Sequence, residues 1–383
     1  ILKKNKKLKS LKRSLKKIKN IIKILFINIS IIYLLLIVTN FFIKENHLTE
    51  ENIVVNVKRY GKNKKYKRTV SEEYLKVIDG EIDSEFELIT GEFGDIKLGN
   101  NSNSTNGEID FLFFGGSTTE CLYIKDEMRF PSLIKESLGD SNHVVNLSKS
   151  GKNSHHSFIQ LITQLDEIQI NNIVLMHNVN DLTQLLYSNS YTKGVPTRRT
   201  VIEYNELIEI KRKPFFIPFK LINKLKSSFI QLNPNMYNKI RKIPFLSFMK
   251  DNVDEFENYR THENRIDGKI FDKFENNLKM FVSVSKIRGI NLILMTQFNR
   301  LEPDDDFIRN IYNKSNNKLD YESFTETYKK FNNIIRNVSL ENNLTIVDLD
   351  SIVPKNKDYI YDMVHLTEKG SLLVSEEILK HIK

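Results

Sequence analysis

Ser117, Asp362 and His365 are the side chains of this sequence whose types and spacing fit acyl transfer. Ser117 stands in Phe-Gly-Gly-Ser-Thr-Thr (114–119), just after an apolar run, and Asp362 and His365 share Asp-Met-Val-His (362–365). A serine hydroxyl is a weak nucleophile until a base takes its proton. An imidazole is that base near neutral pH, and a carboxylate on the same turn can fix its tautomer. Asn180, in Asn-Val-Asn-Asp (178–181), offers a side-chain N–H to a developing oxyanion, and Gly151 offers a backbone N–H.

Each motif alone has a plainer role. Ser117 could only cap a helix, and Asp362 could only pin the His365 turn. Gly-Gly-Ser-Thr-Thr also resembles a phosphate-binding turn, but it lacks the Gly-Lys-Ser/Thr ending of a P-loop. Asn-Asp after a strand is commonly a turn former. Metal binding is disfavoured, because the only other histidine cluster is His155–His156 and adjacent side chains point apart. Cys121, the single cysteine, reads as a buried apolar filler and permits no intramolecular disulfide.

Strands and helices alternate from residue 109 onward. Apolar runs predict strands over Ile109–Phe114, Val144–Leu147, Asn172–Met176, Ile290–Thr296 and Leu344–Leu349. Helical patterns fall over 126–138, 154–167, 268–287 and 321–341, with a closing helix over Thr367–Ile382 capped by Thr367 and carrying Gly370 as a minor internal cost. This alternation predicts an α/β fold with a parallel sheet of about five strands and helices on both faces. Ligands of such sheets bind beyond the carboxyl ends of the strands. Ser117, Gly151 and Asn180 fall there, in loops after the first three strands, and the 362–365 turn fits the same edge.

In combination these residues resemble the SGNH hydrolase superfamily, also called GDSL-type esterases. The block I serine matches Ser117, the block II glycine Gly151, the block III asparagine Asn180, and the block V Asp-x-x-His pair Asp362 and His365. The resemblance spans 109–383 apart from an insertion at 183–267. It implies a three-layer α/β/α sandwich of flavodoxin-like topology and a serine esterase without cofactor or metal. It also implies an oxyanion hole of the Ser117 amide, the Gly151 amide and the Asn180 side chain. Two positions depart from the family pattern. Gly116 stands where Asp is usual, a variant associated with membrane-linked bacterial members, and Asn178 replaces a glycine, where its tolerance of positive φ would preserve the turn.

The rest of the chain bears on location and substrate. The formal net charge is +10, but residues 1–23 hold eleven Lys and Arg and no acid, which leaves the rest at −1 and argues against nucleic acid. Twenty uncharged residues follow at 24–43, long enough to cross a bilayer. No small-residue cleavage site follows them, so an uncleaved anchor is expected, with the basic tail cytoplasmic and the catalytic domain on the other side. The chain opens on Ile1, which points to a missing or unusual start. The absence of Ala and Trp and the abundance of Lys, Asn and Ile read as codon bias. Residues 45–108 are expected to form a stalk and small accessory layer, with the polar run 99–107 a loop. The basic, aromatic stretch 211–250 reads equally as a lipid-facing lid and as a solvated helical cap. The expected substrate is an O-acyl group, foremost acetyl, on a cell-envelope glycan, hydrolysed or transferred. A lipid esterase is the enzymatic alternative, and a non-catalytic anchored protein of an envelope assembly complex is the other.

Overall fold

The computed structural model describes residues 52–99, 108–205 and 266–382, except Leu122, Glu167, Val195, Pro196 and Asn316, together with parts of 19–31. The chain divides into two compact units, 1–52 with 204–213 and 53–203 with 214–383. In the first, residues 22–28 are helical and exposed. The anchor expected at 24–43 lies mostly outside the described residues, as do 100–107 and the basic aromatic stretch 211–250. No helix among the described residues is long and apolar enough to cross a membrane.

Nine strands are described: β1 (Asn52–Asn56), β2 (Lys65–Thr69), β3 (Glu85–Ile89), β4 (Glu108–Gly115), β5 (Val144–Asn146), β6 (Gln169–Met176), β7 (Val201–Asn205), β8 (Asn291–Met295) and β9 (Thr345–Val347). Five of them form one sheet in the order β5-β4-β6-β8-β9, and every neighbouring pair is parallel. The predicted five-stranded parallel sheet is therefore present, each strand within a few residues of its expected place. The first strand in sequence lies inside the sheet and the second at its edge, so the chain reverses direction between β4 and β6. That reversal opens a crevice at the carboxyl ends, the general ligand position of open α/β sheets.

Both faces of the sheet are covered, which explains the nearly unbroken apolar runs. Leu112, Phe114, Ile173, Leu175, Leu292 and Leu294 point to one face, against the helices Ser154–Thr163, Val179–Ser188, Lys269–Arg288 and Tyr321–Glu341. The alternate residues Phe111, Phe113, Val174, Met176, Ile293 and Met295 point to the other, where Phe130–Leu138 and Glu368–Ile382 pack.

Three local expectations are corrected. The helix expected over 126–138 is a short 3-10 turn (Asp126–Met128) and a separate helix (Phe130–Leu138). Pro131 lies in that helix's first turn, where its missing N–H costs nothing; further inside a helix it would break it. Asn180 sits in the first turn of Val179–Ser188, not in a loop. Gly370 is more than a tolerated cost: a Cβ there would meet the Tyr359 carbonyl oxygen at 2.1 Å, so its bareness lets the closing helix approach that backbone. Thr367 caps this helix as expected, accepting from the Gly370 amide at 3.2 Å.

Residues 52–99 carry more structure than a stalk. β2 and β3 pair antiparallel, with the helix Glu72–Leu75 between them. Tyr60, Phe86, Leu88 and Ile96 form a small core of their own. This layer docks on the sheet domain: the Ile96 amide donates to Asn146 O at 2.8 Å, and the Asp79 amide to Tyr361 O at 3.2 Å.

Candidate active site

The spatial expectation behind the acyl-transfer reading holds. His365 Nε2 lies 2.8 Å from Ser117 Oγ, although the two residues are 248 positions apart. His365 Nδ1 lies 2.7 Å from Asp362 Oδ2. The other carboxylate oxygen, Oδ1, accepts the backbone amides of Val364 and His365, each at 2.8 Å. Asp362 thus folds its own turn and orients the imidazole. Tyr361 stacks on the His365 ring at 5.6 Å between centroids.

Burial alone would favour the neutral acid at Asp362. The His365 charge and the hydrogen bonds from His365 and Val364 outweigh it and hold the carboxyl below its ordinary 3.8. Burial likewise opposes charge on His365, but Asp362 overrides it and lifts the imidazole above its ordinary 6.5. The pair is therefore arranged to receive a proton on His365 while Asp362 stays ionised.

Ser117 opens a single helical turn, Ser117–Glu120, directly after β4. Among the described residues neither its amide nor that of Gly151 donates to a protein acceptor. Gly151 adopts a φ of +74°, the left-handed region where glycine is unstrained. Asn180 Nδ2 donates to Lys152 O at 2.9 Å and sits against Gly116, where a Cβ would be 2.2 Å away. The bare Gly116 is what admits the amide beside Ser117. One N–H of the Asn180 amide is held by Lys152 and the second has no partner among the described residues. Asn180→Ala is expected to lower kcat by roughly 100–1000-fold with little change in KM, as steady-state kinetics would show.

A buried amide network fixes these loops, and the sequence reading missed it. Gln297, just beyond β8, donates to Thr118 Oγ1 at 2.7 Å and accepts from the Val179 amide at 2.8 Å, so it ties the Ser117 turn to the Asn180 turn. Asn332 accepts from the Gln297 amide at 3.0 Å and from Asn178 Nδ2 at 2.9 Å. Asn178 has a negative φ of −159°, so the expected left-handed turn is absent there. It serves as a side-chain donor, which a glycine could not. The only sequence signal for Gln297 was its place one residue past the end of a predicted strand.

The N-terminal layer contributes a second missed residue. Tyr74 OH donates to Asp362 Oδ2 at 2.9 Å, the same oxygen that faces His365. Burial, then the Asp362 charge, raises the phenol above its ordinary value, so it stays protonated and keeps its proton for the carboxylate. Without this donor the carboxylate would press its charge harder on His365 and raise it further. Tyr74→Phe is expected to cost about tenfold in kcat/KM and to move the acid limb of the pH–rate profile upward. An unchanged limb would show that the phenol has no electrostatic influence on the pair.

Glu120 adds, less than Asp362, to the charge that lifts His365. Glu120 is fully buried and accepts from Tyr60 OH and Ser150 Oγ. Cys121 is buried as expected, and burial pushes its thiol up to about 12. A second Ser–His–Asp grouping exists, with Ser157 Oγ 2.9 Å from His177 Nε2 and Asp181 Oδ2 3.8 Å from His177 Nδ1. Its histidine–carboxylate gap exceeds a hydrogen bond, all three residues are buried, and burial holds His177 well below its ordinary value. Asp181 instead accepts from the Ser154 amide and from Tyr191 OH (2.8 Å), which anchors the start of the helix Ser154–Thr163.

No described protein family and no curated protein matches the sequence. Solved structures do match. An acetyl xylan esterase aligns with 15% identity over 72% of this chain and 100% of its own, at a TM-score of 0.40. An acetylxylan esterase from Geobacillus stearothermophilus aligns with 13% identity over 72% of this chain and 94% of its own, at 0.39. A GDSL-like lipase from Bacteroides thetaiotaomicron aligns with 13% identity over 74% of this chain and 91% of its own, at 0.39.

Proposed function

We propose that this chain is a serine esterase of the SGNH type that cleaves or transfers an O-acyl group. The observation that carries this reading is the continuous line from Ser117 Oγ through His365 to Asp362, at 2.8 and 2.7 Å. Ser117 attacks the acyl carbonyl carbon while His365 Nε2 takes the hydroxyl proton. His365 then returns that proton to the leaving alkoxide, and the acyl group remains on Ser117. Water, or a second alcohol in the transfer version, is deprotonated by His365 and releases it. The Ser117 and Gly151 amides and the Asn180 side chain face the oxyanion at each tetrahedral stage.

The finer reading is an O-acetyl group on a cell-envelope polysaccharide, with the catalytic domain outside the cytoplasm and residues 24–43 as its anchor. Twenty uncharged residues support the anchor, and the basic excess confined to the segment before them supports placing the rest of the chain on the far side of the membrane. The test is hydrolysis of 4-nitrophenyl esters of two to twelve carbons by the full chain. Acetate is expected to be the best substrate. A maximum at long chains would move the assignment to lipid esters, and no turnover of any ester by folded protein would end it.

A further inference from the structure

We infer that the site binds a substrate carrying an anionic group, a carboxylate or a phosphate, which Arg198 and Lys58 receive beside the Gly151 edge. This rests on the esterase reading above and adds the charge of the substrate to it.

Position is the first argument. A Cβ at Gly151 would meet Lys58 Nζ at 2.6 Å and Thr197 O at 3.2 Å, so this ammonium and this segment lie directly against the oxyanion glycine. Lys58 Nζ donates to Thr197 O, which leaves donors to spare on the ammonium.

The second argument is how the segment is held. The Arg198 carbonyl accepts from Asn153 Nδ2 at 2.8 Å and from His156 Nε2 at 3.0 Å. Thr200 meets His155 Nδ1 at 2.9 Å, and the Lys58 amide donates to His156 Nδ1 at 3.1 Å. The backbone around Arg198 is thus pinned at several points. Its guanidinium, by contrast, has no hydrogen bond or ion pair among the described residues. It lines a cavity of about 260 Å³ whose wall also includes Val179, next to Asn180, and Asp362 and Met363 of the catalytic turn.

Charge is the third argument. Burial, then the Lys149 and Arg198 charges, lowers Lys58 to about 8, with Glu120 acting weakly the other way. Glu120 is already engaged by Tyr60 and Ser150. Arg198 is lowered by burial, opposed only by Tyr187. Folding therefore brings like charges together at the edge of a reaction site, and among the described residues no carboxylate pairs with the guanidinium; Asp362, in the same cavity wall, is engaged by His365 and Tyr74. An anionic substrate group would relieve that repulsion and meet the planar fork of Arg198 with two parallel hydrogen bonds.

The test uses the full chain and three monoacetylated methyl glycosides that differ only in charge: the glucoside, its glucuronate and its 6-phosphate. The wild type is expected to favour one or both anions over the neutral ester by roughly tenfold or more in kcat/KM. Preference for glucuronate alone would assign a carboxylate, and preference for the 6-phosphate alone a phosphate. Arg198→Gln should collapse the ratio towards one, whereas Arg198→Lys should retain part of it. Thermal midpoints exclude a merely structural role: Arg198→Gln should not lower stability, and glucuronate or inorganic phosphate should raise the midpoint of the wild type but not of the variant. Equal rates on all three esters, or a ratio indifferent to Arg198, would overturn the inference. If the wild type cleaves none of them and no 4-nitrophenyl ester either, the esterase reading has failed; if it cleaves only the 4-nitrophenyl esters, that reading stands, and in both cases the midpoint shifts decide whether anions bind.

Discussion

Ser117→Ala is expected to lower kcat on 4-nitrophenyl acetate by on the order of 10⁴–10⁶-fold while the protein stays folded. In the proposed mechanism the hydroxyl makes the new bond, and among the described residues no other group bonded to His365 Nε2 can replace it. Cys121, a few residues on, is buried and carries a thiol shifted up to about 12. Thr118 and Thr119 are buried as well, and Thr118 is held by Gln297. His365→Ala should cost nearly as much, and the double variant hardly more than either single one, because nucleophile and base act as one unit. A fluorophosphonate should label Ser117 in the wild type and lose its target in Ser117→Ala. A Ser117→Ala rate within tenfold of wild type would place the nucleophile elsewhere.

Asp362→Asn is the second large effect, with a loss of about 10⁴-fold in kcat. Asparagine keeps the shape of the turn but can present its N–H to His365 Nδ1, which leaves Nε2 carrying the proton and unable to take one from Ser117. The direction of the pH shift makes the prediction specific. His365 must be neutral to accept a proton, so activity is lost as pH falls through its pKa. That pKa lies above 6.5 because of the Asp362 charge. Without the charge, burial dominates and the pKa drops, so the residual activity of Asp362→Asn should persist to lower pH than wild type. Tyr74→Phe moves the same limb the other way, and the two variants together would locate the charge that governs the histidine.

The sequence made the candidate site legible because acyl transfer would need particular side chains at particular places. Ser117, Gly151 and Asn180 each follow a continuous apolar run, and Asp362 and His365 share one turn. The sheet was legible for a related reason: strands buried on both faces carry few polar residues, so Ile109–Phe114 and Asn172–Met176, with one polar residue each, stand out. What escaped was cooperative. Gln297 and Asn332 are unremarkable polar residues until folding places each opposite its partner. Asn178 looked like a substituted glycine, and its role as a buried donor depends on a helix more than 140 residues later. The 126–138 helix was overrun because apolar periodicity continued across Pro131, whose ring the period does not register.

Tyr74 gives the boundary near residue 108 a practical meaning. By topology the repeating strand–helix pattern begins at β4, and a fragment starting there would keep Ser117, Gly151, Asn180, Asp362 and His365. It would also lack the phenol that holds Asp362 and would uncover Glu120, whose Tyr60 partner lies upstream. Such a fragment could fold around an intact sheet and still turn over poorly, and the weakness would be mistaken for absence of enzyme activity. The smallest piece worth assaying starts well before the smallest piece that looks complete.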